Sequence, residues 1–259
     1  MNLIFKTFVI AVAMTLMGVP VGAVTRTLGA VRDNTLYEVS SPASALSNGA
    51  GIGLFAGRTL QGSNGIRRGL VAFNFAGAVP SDATVSSVQL TLDVTMTTSG
   101  SEVVSLHRVF SNWGEGGSDA PGQEGSGTSA QSGDATWFHT FFPGAFWGNP
   151  GGDFSAGASA TLGVAGNGTY TWGSTSQMVA DVQAWVDNPS ANFGWLIFGA
   201  ESRSGSAKRF SSREGGSGPQ LVVTFDAPVP TAGEFSLVLL AVLLAVLGVL
   251  AIRRHSAAY

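Results

Sequence analysis

Ser87–Met96 (SVQLTLDVTM) alternates without a break, with Val88, Leu90, Leu92, Val94 and Met96 on one side and Gln89, Thr91, Asp93 and Thr95 on the other. A period of two sends successive side chains to opposite faces, so this stretch fits a half-buried strand and not an amphipathic helix. The same period groups Val71, Phe73 and Phe75 within Gly69–Phe75, and Val104, Leu106 and Phe110 within Val104–Phe110. It also groups Leu221, Val223 and Phe225 within Gln220–Phe225. Phe193–Phe198 (FGWLIF) is apolar almost throughout, as in a strand covered on both faces. Shorter candidates are Thr35–Val39, Gly53–Ala56, Thr136–Thr140, Ala158–Val164, Thr169–Trp172 and Lys208–Ser211, with turn-rich stretches between them. The chain reads as all-β, a single β-sandwich of about ten strands, a common size for such a unit.

One segment breaks the pattern. In Ser176–Asp187, the residues Met178, Val179, Val182, Trp185 and Val186 fall on one helical face. Ser174 to Ser176 offer an N-cap and Asn188-Pro189 a stop, which predicts one short helix lying over an end of the sheets. Gly114–Ala135, rich in Gly, Ser and acid, has no period; a loop of that length is usually functional or disordered.

Both ends read as addresses. Met1–Ala23 has one charge, Lys6, then an apolar run to Val21-Gly22-Ala23, the pattern of a secretory signal peptide over 1–23 with cleavage after Ala23. Residues 235–252 (FSLVLLAVLLAVLGVLAI) are uncharged, with Arg253-Arg254 behind them. Eighteen helical residues span about 27 Å, close to the hydrocarbon thickness, so this is a C-terminal transmembrane helix. The arginines place 253–259 in the cytoplasm and the 24–227 ectodomain outside, joined by a 228–234 linker.

Around that span, Val229-Pro230-Thr231-Ala232-Gly233-Glu234-Phe235 and the trailing Arg253-Arg254 resemble the IPTL-type C-terminal sorting signals of Gram-negative bacterial surface proteins. The usual pattern is Ile-Pro-Thr-Leu with a Trp where Phe235 stands, so Val229 and Ala232 are departures. The resemblance implies secretion machinery, a membrane contact and a sorting transpeptidase as partners. It implies a protein anchored in the inner membrane facing the periplasm, or sorted to the cell surface.

The body carries a second resemblance. Its blocks are Gly57-Arg58, Arg67-Arg68-Gly69-Leu70-Val71-Ala72-Phe73, Val79-Pro80 with Ala83-Thr84-Val85, Leu106-His107-Arg108-Val109, Trp113-Gly114-Glu115-Gly116, Ala135-Thr136-Trp137, Trp147 with Pro150-Gly151-Gly152-Asp153-Phe154, and Lys208–Glu214. In order and spacing they are similar to the DNRLRE, or disaggregatase-related, domains of bacterial and archaeal surface proteins. Asp33-Asn34-Thr35-Leu36-Tyr37-Glu38 matches the name-giving hexapeptide in four letters. The resemblance implies a jelly-roll-like sandwich without a catalytic centre, akin to carbohydrate-binding modules.

The chemistry that the residues exclude is broad. With no cysteine, there is no thiolate nucleophile, thiolate zinc or iron–sulfur site. Residues 24–227 hold 10 Lys/Arg against 15 Asp/Glu, the wrong sign for a nucleic-acid partner. No G-x-S-x-G or H-E-x-x-H occurs, and His107, opposite Leu106, reads as a surface histidine. Glu115, Asp134, Asp153 and Glu201 are acids that a glycosidase would need in pairs, but so many surface acids make some pair inevitable. The expectation is no enzyme.

Sugar rings stack on exposed aromatic faces. Trp113, Trp137, Trp147 and Trp172, at strand ends or in loops, and His139 in its aromatic segment are the candidate ligand-binding residues. The competing reading is a small core that clamps the loops. Glu115, Asp119 and Asp153 are loop oxygen donors of the kind Ca²⁺ prefers. Arg67, Arg68, Arg209 and Arg213 could meet an anionic glycan or be neutralised by nearby acids. The expected function is polysaccharide binding by a non-catalytic, surface-tethered module, with an adhesive protein-binding role second and a carbohydrate-active enzyme third.

Overall fold

The computed structural model describes residues 22–227 and 238–245. The signal peptide expected at 1–23 lies outside them except for its last two residues. So do the sorting residues Val229, Pro230, Thr231, Arg253 and Arg254. Of the expected span at 235–252, residues 238–245 are described, as helix. No helix among the described residues is long and apolar enough to cross a membrane.

The domain is mostly β. Its strands are β1 (Ala23–Tyr37), β2 (Leu46–Ser47), β3 (Gly53–Arg58), β4 (Ile66–Phe73), β5 (Thr84–Thr97), β6 (Glu102–Arg108), β7 (Thr128–Ser129) and β8 (His139–Phe141). They continue with β9 (Ala145–Phe146), β10 (Ala160–Val164), β11 (Gly168–Trp172), β12 (Trp195–Phe198), β13 (Lys208–Ser211) and β14 (Gln220–Asp226). One helix, α1 (Ser176–Asp187), stands between β11 and β12.

Pairing is antiparallel throughout. β1-β14-β5-β13-β3-β4 form a ring of six strands, closed because the first half of β1 pairs β14 and its second half pairs β4. β12, β6 and β10 continue outward from β4, and β11 pairs β5. The alternation in β5 sets the register against β14, with Val88 opposite Val223 and Leu90 opposite Leu221. These side chains enter the main core with Phe73, Trp195, Phe210 and Trp185 of α1. The helix is where its periodicity puts it. Its cap is Thr175, whose hydroxyl accepts from the Met178 N–H at 3.0 Å and donates to the Ser159 carbonyl at 2.6 Å. Thr175→Ala is expected to cost about 1–2 kcal/mol, read as a lowered midpoint in urea unfolding.

β4 and β12 are buried on both faces. Val71, Phe73, Trp195 and Ile197 point into the main core, while Leu70, Ala72 and Leu196 point the other way into a second core with Leu36. What covers that second face is the stretch from Val109 to Phe154, including the glycine-rich Gly114–Ala135 segment, expected to be a functional or disordered loop. It turns on glycines rather than on a repeating pattern. Gly116 has φ +70°, and a Cβ there would overlap the Asp134 carboxylate. Outside that stretch, in the connection leading into β12, Gly194 has φ +75°, and a Cβ there would collide with the Val71 carbonyl.

Candidate functional site

The aromatic residues expected to face a ligand are packed instead. Trp113 is fully buried in the second core, its indole N–H donating to the Phe193 carbonyl at 2.8 Å and its ring covered by the Arg32 guanidinium at 4.4 Å. Trp147 is buried beside it and donates to the Thr136 carbonyl at 2.8 Å. Trp137 completes the group, with the Arg68 guanidinium 4.8 Å over its ring. His139 is buried, its Nδ1 2.8 Å from the Thr136 hydroxyl and its ring between Phe142 and Phe146; burial holds the imidazole below its usual range. Trp172 is not with them: it lies in the main core, bonded to the Val104 carbonyl at 3.0 Å. A stacking platform needs an open ring face, and none of these five side chains presents one. His107 corrects the surface expectation too. It is buried between Phe154 and Phe198, with Nε2 2.9 Å from the Ser105 hydroxyl and Nδ1 2.8 Å from the Ser155 carbonyl.

The expected metal trio is not brought together. Asp119 is exposed. Asp153 closes a turn, accepting from Gly148 N–H at 2.8 Å, Asn149 N–H at 2.9 Å and the Ser111 hydroxyl at 3.1 Å. Burial alone would raise that carboxyl, but these bonds outweigh it and leave it below the usual carboxylate range. Glu115 instead meets two acids that the sequence did not suggest, and carboxylate oxygens of Asp33, Glu115 and Glu214 lie within 4.8 Å of one another. Those three could offer oxygen ligands, yet the cation already among them is Arg213. Its Nε is 2.7 Å from Glu115 and its Nη2 is 2.8 Å from Glu214. Asp33 is buried, and burial together with the charges of Glu214 and Glu115 pushes its carboxyl up to about 8, although it accepts the Arg213 N–H at 2.7 Å.

The other arginines are also engaged. Arg68 grips Glu201 through two bonds of 2.7 and 3.0 Å, and Arg209 meets Glu124 at 3.0 Å. Arg67 is buried without a carboxylate, its guanidinium donating to the carbonyls of Gly125, Asn64 and Ile66 and to the Gln61 side chain at 2.7–2.9 Å.

An open cavity of about 500 Å³ lies just above that arginine. Three segments distant in sequence form it: Glu38–Leu46 after β1, the β3–β4 connection at Gln61 and Asn64, and Ser126–Ala130 of the long covering stretch. Phe142 supplies one aromatic wall. The β3–β4 connection is closed by the Thr59 N–H on the Gly65 carbonyl at 2.9 Å, and the Ser40 hydroxyl donates to Asn64 Oδ1 at 3.2 Å. Serine hydroxyls, two carboxamides, the Glu38 carboxylate and the Arg67 guanidinium make up its polar lining. Of these residues the sequence marked Arg67, as a candidate for an anionic glycan, and Glu38, within the hexapeptide match; that they meet Gln61, Asn64 and Ser126–Ala130 depends on folding.

The comparisons bear on the other end of the chain. Residues 227–254 match the IPTL-CTERM motif. The match covers the Val229-Pro230-Thr231 block, the apolar run and both terminal arginines, and it begins at Ala227, the residue after β14. Comparison with curated proteins gives no match. The tail therefore supports export and sorting to the cell surface.

Proposed function

We propose that this chain is an exported, surface-sorted, non-catalytic β module that binds polysaccharide, tethered through 235–252 before or during sorting. The observation that carries the reading is the sorting motif attached directly to the last strand of a ring-closed β domain. The DNRLRE resemblance adds the polysaccharide, by analogy of fold and module. Strands β1 and β3 each exchange partners midway, β1 from β14 to β4 and β3 from β13 to β4, which supports reading the ring as a jelly-roll-like sandwich. The carboxylates that a hydrolase would need support a non-catalytic role, since Glu115 and Glu201 hold arginines, Asp153 holds a turn and Asp134 is buried on backbone N–H groups.

Fractionation of cells expressing the full chain, or a form lacking 228–259, tests the sorting half. The full chain is expected at the surface and the shortened form free in the periplasm or medium. Equal distribution of the two would refute a sorting tail. Release of reducing ends from a polysaccharide by the full chain would overturn the non-catalytic half.

A further inference from the structure

Resting on the polysaccharide reading, we infer that the cavity between Glu38, Asn64 and Ser129 is a subsite for an uncharged sugar, and that polyuronates and sulfated glycans are not its ligands. The backbone is held in unusual form around it. Among the described residues, Asn64 and Glu124 are the two non-glycine residues with left-handed φ, +54° and +63°. One lines the cavity and the other precedes Gly125-Ser126 at its rim. Such conformations cost free energy, persist where surrounding contacts impose them, and gather at binding sites.

The polar inventory then selects the ligand. Asn64 Oδ1 takes the Ser40 hydroxyl, and its NH₂ has no partner among the described residues. Glu38 Oε2 takes the Ile66 N–H at 3.0 Å, which leaves Oε1 for another donor. The Ser44 and Ser129 hydroxyls also line the space. A carboxylate that accepts, a carboxamide that donates and hydroxyls that do both match the alternating demands of a sugar diol. Phe142, half-buried, adds an apolar ring to the wall, against which the C–H side of a sugar can pack.

The charges decide against an anion. Arg67 is the single cation in the lining and lies almost wholly buried. Four of its N–H groups are spent on carbonyls and Gln61, and its guanidinium stacks 4.8 Å over Tyr37. An incoming carboxylate or sulfate would meet the Glu38 carboxylate, and the buried Arg67 keeps a single N–H, on Nη2, to set against it. A neutral sugar meets no such repulsion.

The test uses full-length protein in detergent, presented with a neutral glucan, a neutral mannan, a polyuronate and a sulfated glycan. Binding to a neutral polymer is expected, unchanged by added salt, and about tenfold weaker in Asn64→Gly. Glycine suits the left-handed position, so that variant removes the carboxamide without straining the turn. Ser129→Trp, which fills the cavity, is expected to abolish binding while the far-ultraviolet spectrum stays unchanged. Neutral binding that survives both substitutions would overturn the cavity while leaving the polysaccharide reading intact. Salt-sensitive binding to the polyanions alone would overturn the neutral specificity, again leaving that reading. Failure of all four polymers to bind would overturn both.

Discussion

Trp113→Ala is expected to lower the stability of the domain by about 3–5 kcal/mol. The indole is fully buried, so its loss removes a large apolar surface and leaves a hole between the outer face of β4 and the stretch that covers it. The Phe193 carbonyl loses its donor, and the Arg32 guanidinium loses the ring it covers. At this domain size each kcal/mol moves the melting temperature by about 2–4 °C, so a fall on the order of 6–20 °C is the reading in calorimetry. Phe146→Ala is the control: that ring is 56% exposed, and its removal is expected to stay within about 1 kcal/mol. Equal shifts in the two variants would mean that the covering stretch is no second core.

Asp33→Asn is expected to stabilise the domain, and to do so increasingly as pH rises. The folded-state carboxyl titrates near 8 because burial and the neighbouring Glu214 and Glu115 disfavour its charge, while the unfolded chain titrates near the ordinary 3.8. A raised carboxyl holds its proton in the fold, so its favourable share is complete below the unfolded value and is lost as pH climbs toward the folded one. Asparagine copies the protonated acid. It keeps an oxygen for the Arg213 N–H and turns an NH₂ toward Glu214, whose Oε2 is buried without a partner. Little difference is expected near pH 4, growing to on the order of 2–5 kcal/mol by pH 8. The check is the difference in melting temperature across that range. A difference that does not vary with pH would show that Asp33 is ionised in the fold.

Local periodicity made part of this architecture legible. α1 is found at its predicted limits because five apolar residues share one face and a hydroxyl precedes them. β5 and β14 were readable because each has one wet and one buried face. The first half of β1 escaped notice for two reasons. Arg26 interrupts the alternation of Val24, Leu28 and Ala30, and a bulge between Ala30 and Arg32 shifts the phase where the strand changes partners.

The candidate site was less legible, since an aromatic residue in a loop announces that it matters without saying which way it faces. Trp113, Trp137 and Trp147 turned inward because the β4–β12 face was itself apolar and needed cover, a condition set by residues far along the chain. Asp33-Asn34-Thr35-Leu36-Tyr37-Glu38 shows the same limit. Asp33 ties to Arg213, Asn34 to the Glu115 carbonyl and the Asn48 N–H, and Glu38 to the Ile66 N–H. Each of those partners lies outside any window short enough to read as a motif.

The closing seam of the ring has a consequence for biogenesis. Ala23 pairs with Asp226, and the six registers that follow join residues 24–29 to the last strand before the tail. A polypeptide threading outward amino end first therefore exposes one edge of β1 until nearly all of it has crossed. Closure becomes a late event in translocation, and the compact form that would jam a narrow conduit arises only once the conduit is almost empty.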